Sequence, residues 1–445
     1  VSRRALALAA VLALAACTTG AADRSRGPVT PSVSLAPPSP ESPSPAPEGR
    51  GSAAAALERL CTVPAPKSGG GSDVPAEGPT PPAIQRVMDQ LEQLRGFDFQ
   101  HRVVAEPVSR REIARGFRRS LDQSFPADLY RRRSLAWQTI GVIAPGTEIR
   151  REVTEYGSTQ VIGYYDTTTG KLVFLGGSDP TPLESVTLAH ELTHAIDDQR
   201  FGLERIDALS ARCEDEPAEA ALALVEGNAT YFMYDWARTF LGPDQQAELA
   251  REAANQEQPP SEVAPFIERL ELWPYTGGLR FVAQLQQRGG LAAIDRAFEE
   301  LPVSTEQIIH PERYPNDVPT PVDVADLSGA LGRGWTDLDV MGVGELWLAT
   351  LLGLRLDAGD ASAAASGWDG GLYRAWWDRA GHVAVVLETA WDRGPDAAGF
   401  AHAMARWLDA GEGRGRVIRA GDRDVRVVFG SDGATLAELA RVARA

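Results

Sequence analysis

This chain is short of positive charge. Over 445 residues the formal net charge is −17, and no basic cluster interrupts it. That argues against nucleic acid and anionic lipid headgroups as partners. Histidine is scarce, with six residues, and cysteine supplies three. No internal repeat is present. The apolar run near the start covers only residues 5–16, too short to span a bilayer core of about 30 Å as a helix. Arg3 and Arg4 precede that run and Leu14-Ala15-Ala16-Cys17 ends it. A charged start, a short apolar stretch and a small-residue end predict an export signal over residues 1–17.

Leu14 to Cys17 resembles the lipobox of bacterial lipoproteins. The resemblance implies cleavage before Cys17, lipid on that residue, and a place at the extracytoplasmic face of the cell membrane. Residues 18–82 read as a disordered tether. Positions 28–47 hold eight prolines and five serines, a composition of extended, solvated chain. Gly69-Gly70-Gly71 continues the same texture, and only Leu57 to Cys61 interrupts it. With Cys17 lipidated, Cys61 and Cys213 remain as an even pair in a compartment where disulfides persist, and they are expected to bridge.

Against that scarcity of histidine, two of the six stand four apart in His190-Glu191-Leu192-Thr193-His194. This is the HExxH pattern of zinc metallopeptidases. On a helix, positions i and i+4 lie one above the other, so both imidazoles reach one ion at about 2.0–2.1 Å. Glu191 borders the same face and is placed to take a proton from a metal-activated water. Thr181 and Glu184 form a capping box around Pro182, and Gly202 ends the helix. Leu188, Ala189, Leu192, Ala195 and Ile196 recur at helical spacing on its core side. Asp198, one turn past His194, is a candidate to orient an imidazole.

Two histidines leave a catalytic zinc one protein ligand short. Asp197 and Arg200 stand where a metzincin needs glycine and histidine. A second helix over residues 217–238 carries the stripe Leu222, Val225, Ala229, Phe232 and Trp236, with Glu226 inside it. A carboxylate on an apolar face is costly unless paired or metal-bound, which makes Glu226 the third ligand. Glu219, seven residues earlier, is the alternative. Gly227 and Ala229 allow close helix approach and favour Glu226.

These residues resemble the gluzincin superfamily, HExxH followed by a glutamate on a later helix. More narrowly, His190 to Phe201 and Glu226-Gly227-Asn228-Ala229-Thr230 look like a group of secreted metallopeptidases of bacteria and archaea. The resemblance covers residues 83–240 and thins to Glu306 to Pro311 and Gly367 to Gly370. It implies one zinc per chain on His190, His194 and Glu226, with Glu191 as catalytic base. Thr230 departs from the pattern, since gluzincins often carry an aspartate near that position.

The expected fold is α+β: a zincin-like metallopeptidase core with mostly helical surroundings and a small α+β C-terminal module. The divisions are 83–240 for the core, 241–355 for a helical subdomain and 356–445 for the module. Helices are expected near Ile84 to Leu94, Arg110 to Leu121 and Ala127 to Ile143. Val161 to Tyr165 and Lys171 to Leu175 flank a hairpin turn, and such an edge strand can bind substrate backbone. Strands are expected at 383–390, 416–419 and 424–429, with helices at 396–408 and 434–443. Trp368, Trp376 and Trp377 read as core residues. His310 and Tyr314 are candidate oxyanion donors, whereas His101, His382 and His402 lack ligand spacing. The function so implied is a lipid-anchored zinc metallopeptidase acting on protein or peptide substrates. The alternative is a zinc-containing surface lipoprotein that binds a cell-envelope component without hydrolysing it.

Overall fold

The computed structural model describes residues 52–65, 80–124, 126–160, 163–167, 169–175, 179–255, 263–411, 414–419 and 421–444. The expected signal peptide, Cys17 and most of the tether lie outside these residues. The architecture is mixed α+β, with a five-stranded sheet at its C-terminal end. Among the described residues no helix is long and apolar enough to cross a membrane.

The first element corrects the tether. Helix α1 (Ala53–Leu60) folds inside it, with Ala53 and Ala56 buried against Val340. The Ala53 amide donates to Asp323 at 2.7 Å and Arg59 pairs with Asp337 at 2.8 Å. A run of alanines is too short to register against its Pro- and Ser-rich surroundings, yet alanine is the strongest helix former. Next come α2 (Pro82–Arg95), β1 (Val104–Pro107), α3 (Arg110–Ser124), α4 (Ala127–Ile140) and α5 (Ile149–Gln160). The hairpin strands β2 (Gly163–Asp166) and β3 (Lys171–Phe174) join β1 in a three-stranded sheet, order β1-β3-β2. β1 runs parallel to β3 and β2 antiparallel, with Tyr165 opposite Leu172. Leu172 and Phe174 point into a core shared with α6 (Pro182–Phe201).

Helix α7 (Glu204–Ala211) links α6 to the long α8 (Asp215–Phe240), and α9 (Pro243–Asn255) leads to α10 (Pro265–Glu299). The last breaks its helical backbone at Gly289 and Gly290. Helices α11 (Thr305–Ile309) and α12 (Ser328–Leu331) precede β4 (Thr336–Gly342). That strand lies within the stretch expected to be helical, so the C-terminal sheet begins before residue 356. Then follow α13 (Glu345–Leu352), α14 (Ala358–Ala365), β5 (Trp368–Trp377), β6 (Val383–Trp391), α15 (Gly394–Asp409), β7 (Gly415–Arg419), β8 (Asp424–Gly430) and α16 (Gly433–Val442).

The sheet order is β4-β5-β6-β8-β7, with every pair antiparallel. Alternation along β6 decides which helix meets which face. Val385 and Leu387 pack with residues of α4, α13 and α15, whereas Ala384 and Val386 pack with Leu436 and Leu439 of α16. Trp368 and Trp376 are core residues, and Trp377 lies under the Arg131 guanidinium.

Candidate metal centre

Helix α6 starts where its sequence says it should. Thr181 accepts from the Glu184 amide and donates its own amide to the Glu184 carboxylate. Gly202 ends it at φ 70, a backbone that glycine takes at least cost. Between these caps every residue from Val186 to Gln199 is buried, as in a helix that runs through a core. Polar groups on such a helix must find partners, and three of them hook α6 to its neighbours. Gln199 both donates to and accepts from the His101 backbone. Asp197 accepts from Arg95 of α2 at 2.8 and 2.9 Å and from Asn228 of α8 at 2.6 Å. Asp198 accepts from the Tyr165 hydroxyl at 3.1 Å and the Leu203 amide at 2.9 Å. Its expected bond to an imidazole is therefore absent: both oxygens are taken by groups that lock the sheet and the helix end.

Helices α8 and α10 pass backbone to backbone. A Cβ at Gly227 would sit 2.0 Å from the Gly278 carbonyl carbon, and one at Gly278 would sit 1.8 Å from the Ala223 oxygen. This approach carries Tyr275 of α10 onto the His190 ring, stacked at 6.1 Å between centroids.

Glu226 meets the two histidines of α6 at this point. His190 Nε2 lies 3.0 Å from His194 Nε2 and 3.2 Å from Glu226 Oε2, and His194 Nε2 lies 3.5 Å from the same oxygen. All three side chains are buried. A tetrahedral ion with arms of about 2.0–2.1 Å would set its ligand atoms about 3.3–3.4 Å apart, so the triangle has the right edges. Two ring nitrogens and a carboxylate oxygen converge on one point, a donor-atom set that suits a cation. The group can hold a metal ion. Neither Nδ1 has a hydrogen-bond partner among the described residues, so no protein acceptor fixes the ring tautomers in the usual way.

Electrostatics agree with a ligand role. Burial, aided by the His194 ring, lowers the His190 pKa to about 4, which leaves a neutral ring with a lone pair at neutral pH. Burial opposes ionisation of Glu226, but the adjacent His194 and His190 outweigh it and bring the pKa to about 2. Glu191 is fully buried next to this group. Burial and the Glu226 charge push its carboxyl well above the ordinary range, against the Tyr165 amide that donates to Oε2 at 3.0 Å. Its other oxygen has no hydrogen-bond partner among the described residues.

The remaining candidates lie elsewhere. His310 Nε2 bonds Glu345 at 3.0 Å, and the Tyr314 hydroxyl donates to the Glu300 carbonyl at 2.6 Å. Neither is hydrogen-bonded to the histidine–glutamate group: helix α11 and its following turn direct both toward other partners. His382 pairs with Asp378, and His402 is exposed. Glu219 lines a cavity together with Glu226 and Tyr275. Cys61 and Cys213 form a disulfide. Tyr275 escaped the sequence reading, and only the Gly277-Gly278 pair inside a helical pattern signalled a close approach there.

Residues 336–444 match a family described as a domain of unknown function (DUF8575). The matched stretch takes in the five-stranded sheet and leaves out His190, Glu191, His194 and Glu226. No curated protein and no solved structure matches the chain.

Proposed function

We propose that this chain is a zinc metallopeptidase of the gluzincin type, held by lipid on Cys17 at the extracytoplasmic side of the membrane. The observation that carries the reading is the triangle of His190, His194 and Glu226 with Glu191 beside it. A His₂Glu donor set suits zinc. The hairpin next to α6 supports a zincin-like core, since β2 is an edge strand whose Tyr165 amide already touches Glu191. The disulfide supports an oxidising compartment, and it leaves Cys17 as the one cysteine outside the pair.

Bound in this triangle, zinc would lower the pKa of a water to about 7 and polarise a carbonyl oxygen. Glu191 supplies the proton traffic. The Tyr165 amide holds Oε2, which leaves Oε1 to take a proton from the attacking water and pass it to the leaving amine. Tyr275 lies against His190, and the charges of Glu226 and Glu191 help raise its pKa well above the ordinary value, after burial. A hydroxyl so placed is the donor for the oxyanion that forms as the carbonyl is attacked.

Metal analysis and turnover test this together. The purified protein should carry one zinc, and Glu226→Ala should lose it with the fold retained by circular dichroism. Glu191→Gln should keep zinc and lose about 10²–10⁴-fold in peptide hydrolysis. Undiminished turnover by Glu191→Gln would sink the mechanism. Zinc retained by Glu226→Ala but lost by Glu219→Ala would move the third ligand. Peptide binding without hydrolysis by wild type would favour a binding lipoprotein.

A further inference from the structure

We infer that the cavity lined in common by Glu226 and Tyr275 is a specificity pocket, which takes one uncharged side chain of about phenyl size from a residue next to the scissile bond. The inference rests on the peptidase reading for that bond, whereas the selectivity of the pocket is independent of the chemistry.

The apolar wall comes from many elements. Phe117 belongs to α3, Trp137 to α4, Val153 to α5, Ile267 to α10, Met341 to β4 and Trp347 to α13. All six are buried. Trp137 and Trp347 meet each other and Phe266 edge to face, an interlocked arrangement that holds the shape of the wall. The cavity measures about 160 Å³. An apolar cavity of about 150 Å³ stays dry and admits benzene, so the space matches the ring of a phenylalanine or the branched end of a leucine.

The charged groups in the wall already have partners. Arg133 binds Asp215 at 2.7 and 3.1 Å and Asp339 at 3.3 Å. Glu226 meets the two histidines. Glu216 accepts from Thr305, and burial lifts its pKa to about 7, so it keeps its proton in mildly acidic solution. Glu219 and Glu271 also interact with other residues. An ionised side chain entering here would lose its water without gaining a counter-ion, which is costly. An apolar side chain gains by leaving water. The pocket therefore disfavours both signs of charge.

Helical spacing ties this cavity to the histidine–glutamate group. Glu226, Leu222 and Glu219 follow one another at four and three residues on α8, and Tyr275, Glu271 and Ile267 at four residues on α10, so each trio shares one helix face. The wall thus includes both the third ligand candidate and the hydroxyl proposed for the oxyanion. Leu222, Leu270 and Tyr275 are only half-buried, which leaves this part of the wall open to solvent. A side chain inserted here keeps its own backbone beside Glu226 and Tyr275, where the reacting carbonyl must lie. Gly157 of α5 sets the room available. A Cβ there would lie 1.9 Å from Phe117 Cζ, so the ring rests on bare backbone and any side chain at 157 displaces it.

Capped alanine-rich peptides with one variable residue (phenylalanine, leucine, alanine, lysine or glutamate) test the selection on the zinc-loaded wild-type protein. The phenylalanine and leucine peptides should exceed the alanine peptide in kcat/KM by at least about tenfold, equivalent to about 1.4 kcal/mol. Lysine and glutamate peptides should do no better than alanine. Mass spectrometry should find cleavage at one fixed offset from the phenylalanine. Gly157→Ala and Met341→Phe take up room from different walls. Each should cut the phenylalanine-to-alanine ratio at least about threefold while cleavage of the alanine peptide stays within about twofold. Should one variant fail to fold, the other carries the test. Equal kcat/KM for the phenylalanine, alanine and lysine peptides, or a preference that neither substitution reduces, overturns the inference and leaves the peptidase reading standing. If no peptide is cleaved, calorimetry with the same set decides. Phenylalanine-selective binding that Gly157→Ala weakens would keep the pocket and remove the peptidase reading, whereas binding without selectivity would remove both.

Discussion

Glu216 shows how a single side chain couples the cavity wall to pH. It accepts from the Thr305 amide at 2.5 Å and the Thr305 hydroxyl at 2.7 Å, and its carboxylate leaves no room for a Cβ at Gly344. Burial, with Glu345 and Asp215 as like-charged neighbours, pushes its pKa up to about 7 in spite of the Thr305 donors. The folded state therefore holds this proton more tightly than the unfolded chain, whose glutamate titrates near 4.3. Stability from this group is fully present below the unfolded value and is lost as pH rises through about 7. His190 titrates in the opposite sense, because its folded pKa is depressed, so wild type alone does not isolate the effect. The difference in melting temperature between wild type and Glu216→Gln does. It should move against wild type as pH rises from about 5 to about 7.5. A difference constant with pH would mean that Glu216 is ionised throughout.

At the scale of elements, the centre depends on how closely α8 and α10 approach. Gly278→Ala would drive a methyl into the Ala223 carbonyl, 1.8 Å from where its Cβ must lie. The helices can relieve this only by separating, which should destabilise the protein by about 1–3 kcal/mol. Separation also draws Tyr275 off His190 and shifts Glu226, so zinc affinity should fall with stability. Gly399→Ala, where the added Cβ meets no neighbouring element within 4 Å, should leave zinc affinity unchanged and raise stability by up to about 1 kcal/mol, as alanine does inside a helix. If the two substitutions behave alike in zinc titration and thermal melts, the close approach is not what shapes the site.

The same elements show what a sequence can and cannot disclose. The pairing of His190 with His194 was readable because two histidines four apart on a helix are a local pattern. Glu226 was readable because a carboxylate inside an apolar stripe needs a reason. Strands β4 and β5 were not. Their Asp339 and Arg374 look like surface residues, yet both are fully buried. Asp339 takes its partners from Arg133 of α4 and Tyr373, and Arg374 pairs with Asp337. A buried polar residue whose partner is distant in sequence leaves no periodicity to read. Asp198 failed for a related reason: spacing placed it on the histidine row, but the Tyr165 hydroxyl from β2 reached it first. Tyr275 lies 49 residues beyond Glu226, and only the helix crossing joins them.

For the whole molecule, the disulfide joins two parts of the chain that lie far apart in sequence. Cys61 and Cys213 are 152 residues apart in sequence. The bridge fastens α1, which leans on β4, to the turn before α8. Cys213 itself sits at φ 54, a left-handed conformation that costs a non-glycine residue about 1–3 kcal/mol. Two opposing effects are thus expected when the bridge is removed. Replacing both cysteines by serine should lower stability by about 2–5 kcal/mol, because the unfolded chain regains the freedom of that loop. Placing glycine at 213 with serine at 61 should recover about 1 kcal/mol of that, since glycine accepts the left-handed backbone without strain. Zinc should stay bound in both variants at ambient temperature. Glu226 lies more than three turns beyond Cys213 on α8, and α6 and α10 hold it independently of the bridge. Thermal melts with metal analysis separate the possibilities. Zinc lost in step with the disulfide would make the bridge part of the centre, whereas a lowered melting temperature with full zinc content marks it as a staple between helix α1 and the helix that carries Glu226.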